Sequence, residues 1–308
     1  MSGSSSGPRY HPRNLDVYQL GIRQVPSIEN INDEIGFEED KIRLWRRSTE
    51  RKGQSIFYGP PGTGKTYIAR QIALNLAGHP DRVKEIQFHP SYSYEEFIQG
   101  IRPKYDTGAG VLKYPPQSGH FVNFCEKAGQ ESTENFVLFI DEINRAETAA
   151  VFGELLYALE DRGLRKVDLP YQTPDGDSIE FSIPENVYII GTMNTADRSI
   201  ALVDYALRRR FAMFEILPKY ETLEIYHEST GIDVSGLIDV LKEINQKAIG
   251  NQDQYLGITY FLRDDLDETL PDIWETEVMP YLKEYFVEDI EQAKQYEWEK
   301  VQDDIDIS

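Results

Sequence analysis

The octapeptide Gly59-Pro60-Pro61-Gly62-Thr63-Gly64-Lys65-Thr66 constrains the fold of this chain more than any other stretch, because it fills the pattern G-x-x-x-x-G-K-[ST] between two suitable elements. Ahead of it, the apolar run 54–58 reads as a short strand. Behind it, Ile68, Ile72 and Leu76 recur at helical spacing, and Gly78 with Pro80 supplies the stop. Glycines leave room for backbone N–H groups to converge on phosphate oxygens, and the following helix adds the positive end of its dipole. Lys65 is then placed to reach the β- and γ-phosphates, and the Thr66 hydroxyl to bind Mg²⁺. The pattern implies a nucleoside triphosphate site.

The chain has 308 residues, enough for one large α/β unit and a smaller domain. Strands are expected at 54–58, 84–88, 136–140 and 187–191, and helices at 65–77, 94–99, 119–129, 146–161 and 200–208. Strands separated by helices predict a parallel sheet flanked by helices, with the functional loops at the C-terminal strand ends. Two interruptions rich in Gly and Pro, 103–119 and 169–184, read as inserted surface hairpins; the second carries the turn Thr173-Pro174-Asp175-Gly176-Asp177. After Pro218 the pattern becomes helical, notably over 235–249 and 276–288. The expected division is a tag or disordered lead-in at 1–24, an α/β nucleotide-binding domain at 25–217 and a helical domain at 218–308.

Composition removes several function classes. A single cysteine, Cys125, excludes a disulfide framework and a cysteine-based zinc site, and fits a reducing cytoplasm. The five histidines show no metal-binding spacing. The longest apolar run, 136–140, is far below the roughly 20 residues needed to span a bilayer. Net charge is −21, and residues 218–308 hold 23 Asp and Glu against 7 Lys and Arg, which is −16 of that total. Such a segment repels a phosphate backbone and is a poor DNA-binding surface. It reads as a solvated acidic domain, or as a docking face for a basic partner.

A second piece of chemistry lies at Phe136-Val137-Leu138-Phe139-Ile140-Asp141-Glu142, where a continuously apolar strand ends in two carboxylates at the phosphate-loop edge. Asp141 is the candidate Mg²⁺ carboxylate and Glu142 the candidate general base. A third strand, Val187–Met193, ends in Asn194, placed to orient the attacking water. Further on, Leu207-Arg208-Arg209-Arg210-Phe211 closes a helix. Arginines there complement the helix dipole, or in an oligomer reach a neighbouring subunit's γ-phosphate.

Together these motifs resemble the AAA+ superfamily. The string Met193-Asn194-Thr195-Ala196-Asp197-Arg198-Ser199 is similar to the signature of the McrB family, the motor subunits of McrBC modification-dependent restriction endonucleases. The runs 87–100, 141–146 and 204–211 support the same resemblance, which covers about residues 30–290. It implies a phosphate loop at Gly59, Pro60, Pro61, Gly62, Thr63, Gly64, Lys65 and Thr66, with Asp141 and Thr66 at the metal and Glu142 as base. It further implies Asn194 as first sensor, Asp197 as a signature residue, and Arg209, then Arg210, as arginine finger. By the same resemblance, GTP is preferred to ATP, with Mg²⁺ as cofactor. The chain is expected to form a homo-hexamer, to be stimulated by a McrC-like nuclease subunit, and to meet DNA through a recognition domain outside this sequence. The alternative is an ATP-dependent remodelling ATPase of the MoxR-like group. One departure stands at Leu256-Gly257-Ile258-Thr259-Tyr260-Phe261, where isoleucine replaces a histidine common in the family. Arg263 is the one arginine in 218–308 and the one candidate there for a second sensor. Pro174-Asp175 with Glu180-Phe181-Ser182 lacks the lysine of a P-D…(D/E)-x-K nuclease site, so cutting is expected in another polypeptide.

Overall fold

Five strands assemble in the computed structural model, which describes residues 25–108, 110–172, 176–196 and 205–305. They are β1 (Gln54–Gly59), β2 (Val83–Gln87), β3 (Phe136–Asp141), β4 (Val187–Asn194) and β5 (Ala212–Glu215), and they lie in the order β5-β1-β4-β3-β2 with every pairing parallel. Parallel pairing brings all the C-terminal strand ends to one edge. There the register sets Gly59 beside Asn194, and Ile140 beside Gly191.

The continuous apolar runs resolve into a two-sided pattern once the sheet forms, because successive side chains point to opposite faces. Val137, Phe139, Ile190 and Phe57 pack on one face with helices α1 (Ile28–Ile35), α2 (Glu39–Lys52) and α3 (Lys65–Ala77). Phe136, Leu138, Ile140 and Ile189 face the other way, onto Phe97, Phe121, Phe124 and Phe152.

Some elements depart from the sequence reading. Helices α1 and α2 were not among the expected helices. The first is set by a capping box between Ser27 and Asn30 and ends at Gly36, in the left-handed region at φ 69°. The second buries only Ile42, Trp45 and Thr49, so its charged remainder hides the apolar stripe. The short edge strand β5 follows the arginine cluster directly. The helix expected over 146–161 breaks at Gly153 (φ 50°) into Thr148–Phe152 and Leu155–Ala158, with the Tyr94 ring against the break. Residues 99–118 form two small antiparallel pairs, Gln99–Ile101 with Pro116–Ser118 and Lys104–Asp106 with Val111–Lys113. Val167–Leu169 pairs with Ile179–Phe181, while the turn residues 173–175 lie outside the described residues, as do residues 1–24.

From Leu223 onward the helices build a core of their own around Phe261 and Trp274. The Trp274 indole N–H donates to the Tyr296 carbonyl at 2.7 Å. No Asp or Glu of this segment is buried among the described residues, which fits a solvated acidic exterior. A π-helical turn at Ile244–Ile249 turns Asn245 inward. Its amide accepts from the Leu256 N–H at 2.7 Å and donates to the Leu256 carbonyl at 3.0 Å, which anchors the segment that reaches back to the phosphate loop.

Candidate nucleotide site

The phosphate loop leaves β1 through Gly59 at φ 149°, where a Cβ would stand 2.3 Å from the Ile216 carbonyl oxygen. Only glycine fits that approach. Gly62 and Gly64 follow with φ 71° and 85°, and Gly64 caps α3. Lys65 begins the helix and is 5% exposed. Its Nζ donates to the Pro60 carbonyl at 2.5 Å, and the Thr63 hydroxyl donates to the same carbonyl at 3.0 Å. Burial pulls the Lys65 ammonium down to about 8, against the raising pull of Glu142 and Asp141.

Strand β3 delivers the carboxylates. Asp141 accepts from the Thr66 hydroxyl at 3.2 Å and from the Thr192 hydroxyl of the neighbouring strand. A hydroxyl and a carboxylate side by side are the hard oxygen donors a magnesium ion takes, with phosphates and water completing the shell. The described residues contain no gathering of three or more His, Cys, Asp or Glu side chains, so the fit is to a metal shared with phosphate.

Glu142 is the one non-glycine among the described residues with positive φ, at 53°. This left-handed conformation costs about 1 kcal/mol. The Glu142 N–H donates to the Thr192 hydroxyl at 3.2 Å. The Asn194 amide donates to Glu142 Oε1, and Arg145 Nε stands 3.6 Å from Oε2. Burial raises the Glu142 carboxyl above the usual carboxylate range, with Arg145 and Lys65 opposing and Asp141 assisting. A carboxylate made more basic by burial and in contact with an amide suits a water-activating base.

The profile of the AAA domain of the dynein-related subfamily matches residues 54–211, and that of the McrB alpha-helical lid domain matches residues 236–294. The chain is 38% identical over 290 residues to the Type IV methyl-directed restriction enzyme EcoKMcrB subunit of Escherichia coli K12, covering 88% of this chain and 61% of that protein. This chain belongs to the AAA family and is McrB-like.

It is also 29% identical over 205 residues to the Type II restriction enzyme BsuMI component YdiS of Bacillus subtilis strain 168, covering 56% of this chain and 58% of that one. The McrB-like chain thus spans about three fifths of each curated relative. A putative ATPase from Cytophaga hutchinsonii is structurally similar at TM-score 0.40 and 19% identity, over 66% of this chain and 55% of that one.

The McrB-type lid touches the phosphate loop through backbone. The Gly62 carbonyl accepts from the Ile258 N–H at 2.8 Å and the Thr259 N–H at 3.0 Å. Gly257 lies so close that a Cβ there would stand 2.2 Å from the Gly62 carbonyl carbon. The Ile258 side chain itself is buried in the lid core. Its contact with the loop is therefore a main-chain one that does not depend on the polar side chain common at that position. The Thr195 N–H donates to the Gly59 carbonyl at 3.0 Å, and its hydroxyl to the Asp253 carbonyl of the lid at 2.9 Å. Sequence reasoning missed these bridges; the available signal was Gly257, a glycine between apolar residues. It also missed Asn144, buried behind the base with its amide donating to the Asn194 carbonyl at 3.3 Å.

The remaining expected residues are dispersed. Arg208 and Arg209 are exposed, the latter 59%. Arg210 is 4% exposed, and its Nε lies 3.1 Å from Glu160 Oε1 of the same chain. Arg209 Nε lies 3.9 Å from the same Glu160 Oε1, so exposure and not pairing distinguishes the two arginines. Arg263 pairs with Asp265 at 3.0 Å, two residues away. Asp197 lies outside the described residues.

Proposed function

We propose that this chain is the GTP-hydrolysing motor of a modification-dependent restriction system, working as a cytoplasmic hexameric ring that drives DNA translocation for a separate McrC-like nuclease subunit. The observation that carries the reading is the convergence of Lys65, Thr66, Asp141, Glu142 and Asn194 on one sheet edge beneath a McrB-type lid. The proposed division is an α/β motor at 25–217 and a lid at 218–308, with DNA met through a recognition domain outside this sequence.

In this reading the loop N–H groups and Lys65 hold the β- and γ-phosphates. Thr66 and Asp141 would hold a magnesium ion, which when bound would supply charge neutralisation at the phosphates. Glu142 accepts the proton of the attacking water, and Asn194 orients that water once its amide leaves the Glu142 carboxylate. Asp197 belongs to the signature that senses the neighbouring subunit. Arg209, exposed and only 3.9 Å from Glu160 Oε1 of its own chain, leaves that carboxylate to reach the neighbouring subunit's γ-phosphate and stabilise transition-state charge.

The test is competition of GTP against ATP for the purified chain, with turnover followed with and without the nuclease subunit. GTP preferred by tenfold or more, with partner-stimulated turnover, supports the proposal. Preference for ATP with indifference to the partner replaces it with a remodelling ATPase of the MoxR-like kind.

A further inference from the structure

The arginine corner is held from behind by a buried polar string that the hydrolytic site does not use. Gln54, the first residue of β1, is 1% exposed. Its Nε2 donates to the Arg210 carbonyl at 2.8 Å, and its Oε1 accepts from Arg162 Nη2 at 2.5 Å. Alongside, Lys52 Nζ donates to the Arg209 carbonyl at 2.6 Å. Glu160 Oε1 then lies 3.1 Å from Arg210 Nε and 3.9 Å from Arg209 Nε.

Arg162 is an expensive residue to keep in this place. Its Nε and Nη1 are enclosed without hydrogen-bond partners, and burial lowers its guanidinium to about 10. It presses on Gly53, where a Cβ would stand 2.7 Å from the guanidinium carbon. A buried cation with unmet donors costs stability, so packing does not explain it. Its chemistry does explain the orientation of Gln54. An arginine only donates, so it claims the amide oxygen and turns the amide NH₂ toward the Arg210 carbonyl. The two ends of β1 then serve different sites: Gly59 opens the chain's own phosphate loop, and Gln54 holds the arginine corner, about 17 Å away at the rise of a strand.

We infer that Gln54 and Arg162 are positioning residues for trans catalysis: by fixing the Arg210 carbonyl, one residue beyond the Arg209 carbonyl that Lys52 holds, they aim Arg209 at the neighbouring subunit's nucleotide. This inference rests on the assignment of Arg209 as the finger.

The test is Gln54→Met in the assembled protein with GTP as substrate, alone, combined with Arg162→Met, and combined with Arg209→Ala. A misplacement of about 1 Å costs up to about 100-fold in turnover. Expected is a loss of roughly 10- to 100-fold in kcat with KM within about twofold of wild type. The Gln54→Met/Arg162→Met pair, which removes the unmet charge, should recover melting temperature but not kcat. In the Arg209→Ala background Gln54→Met should cause no further loss, because the two act through one group. Wild-type turnover in Arg209→Ala alone overturns the finger assignment and the inference with it. Loss in Arg209→Ala combined with normal kcat in Gln54→Met overturns only the inference. So does a multiplied loss in the double variant, or a change confined to KM.

Discussion

Replacing Lys65 by methionine should stabilise the nucleotide-free protein while abolishing its response to nucleotide. The buried ammonium is held down from 10.5 to about 8. At 1.36 kcal/mol per pH unit, keeping it charged at pH 7 costs about 3 kcal/mol. Methionine has a similar unbranched shape and fills the same space without charge. The variant forfeits the bond to the Pro60 carbonyl, worth about 1 kcal/mol, which leaves a net gain of about 2 kcal/mol. For a domain of this size that is a rise of about 4 °C in melting temperature. The sign with pH follows from the direction of the shift. The folded value lies below the unfolded one, so between about 8 and 10.5 the unfolded chain binds more protons and the wild type gains stability as pH rises. The advantage of the variant is therefore full below pH 8 and shrinks above it. Thermal melts from pH 7 to 10, with and without GTP and Mg²⁺, measure both parts. Nucleotide at 100 times its dissociation constant should stabilise wild type by about 2.7 kcal/mol and the variant not at all. A variant less stable than wild type without nucleotide, or one that still responds to it, refutes the reasoning.

The other expectations concern the base, the lid contact and the lid core. Glu142→Gln should bind nucleotide with wild-type affinity and lose turnover by about 100-fold or more, read by equilibrium binding beside phosphate release. Because burial raises the Glu142 carboxyl, the acid limb of the wild-type rate should fall at a pH above the ordinary carboxylate range; a limb within that range removes Glu142 as base. Gly257→Ala must move backbone that now stands 2.2 Å from the new Cβ, and should weaken nucleotide binding about tenfold while leaving the α/β core intact by circular dichroism. Unchanged affinity would mean the lid contact is incidental to binding. Trp274→Ala empties a fully buried site that also carries a hydrogen bond, and should cost about 3–5 kcal/mol, seen in chemical denaturation as early loss of the lid.

The legible parts of this protein were those with local patterns. The loop from Gly59 to Thr66 announces itself by spacing, the run before Asp141 by unbroken apolarity, and the strand before Asn194 by its apolar start at 187–190. Helix α3 was legible to the residue because Ile68, Ile72 and Leu76 repeat on one face between a glycine entry and a glycine stop. Helix α2 was not, since only three of its residues are buried. The single helix expected over 146–161 overlooked Gly153, whose left-handed turn accommodates the Tyr94 ring from a distant segment. Among the arginines, spacing alone favoured none, and burial separates Arg210 from its neighbours.

By itself, the sequence determined which chemical groups stand at the ends of which strands, because a strand–loop–helix unit is encoded by residues within a few positions of one another. Tertiary structure decided which of those groups meet. Asn194 reaches Glu142 across 52 positions, the Ile258 N–H meets the Gly62 carbonyl, and Arg162 reaches Gln54 across 108. Such pairings leave no periodicity in the chain: each is a single polar contact, and its partner becomes available only after the apolar faces have fixed the order and register of the strands.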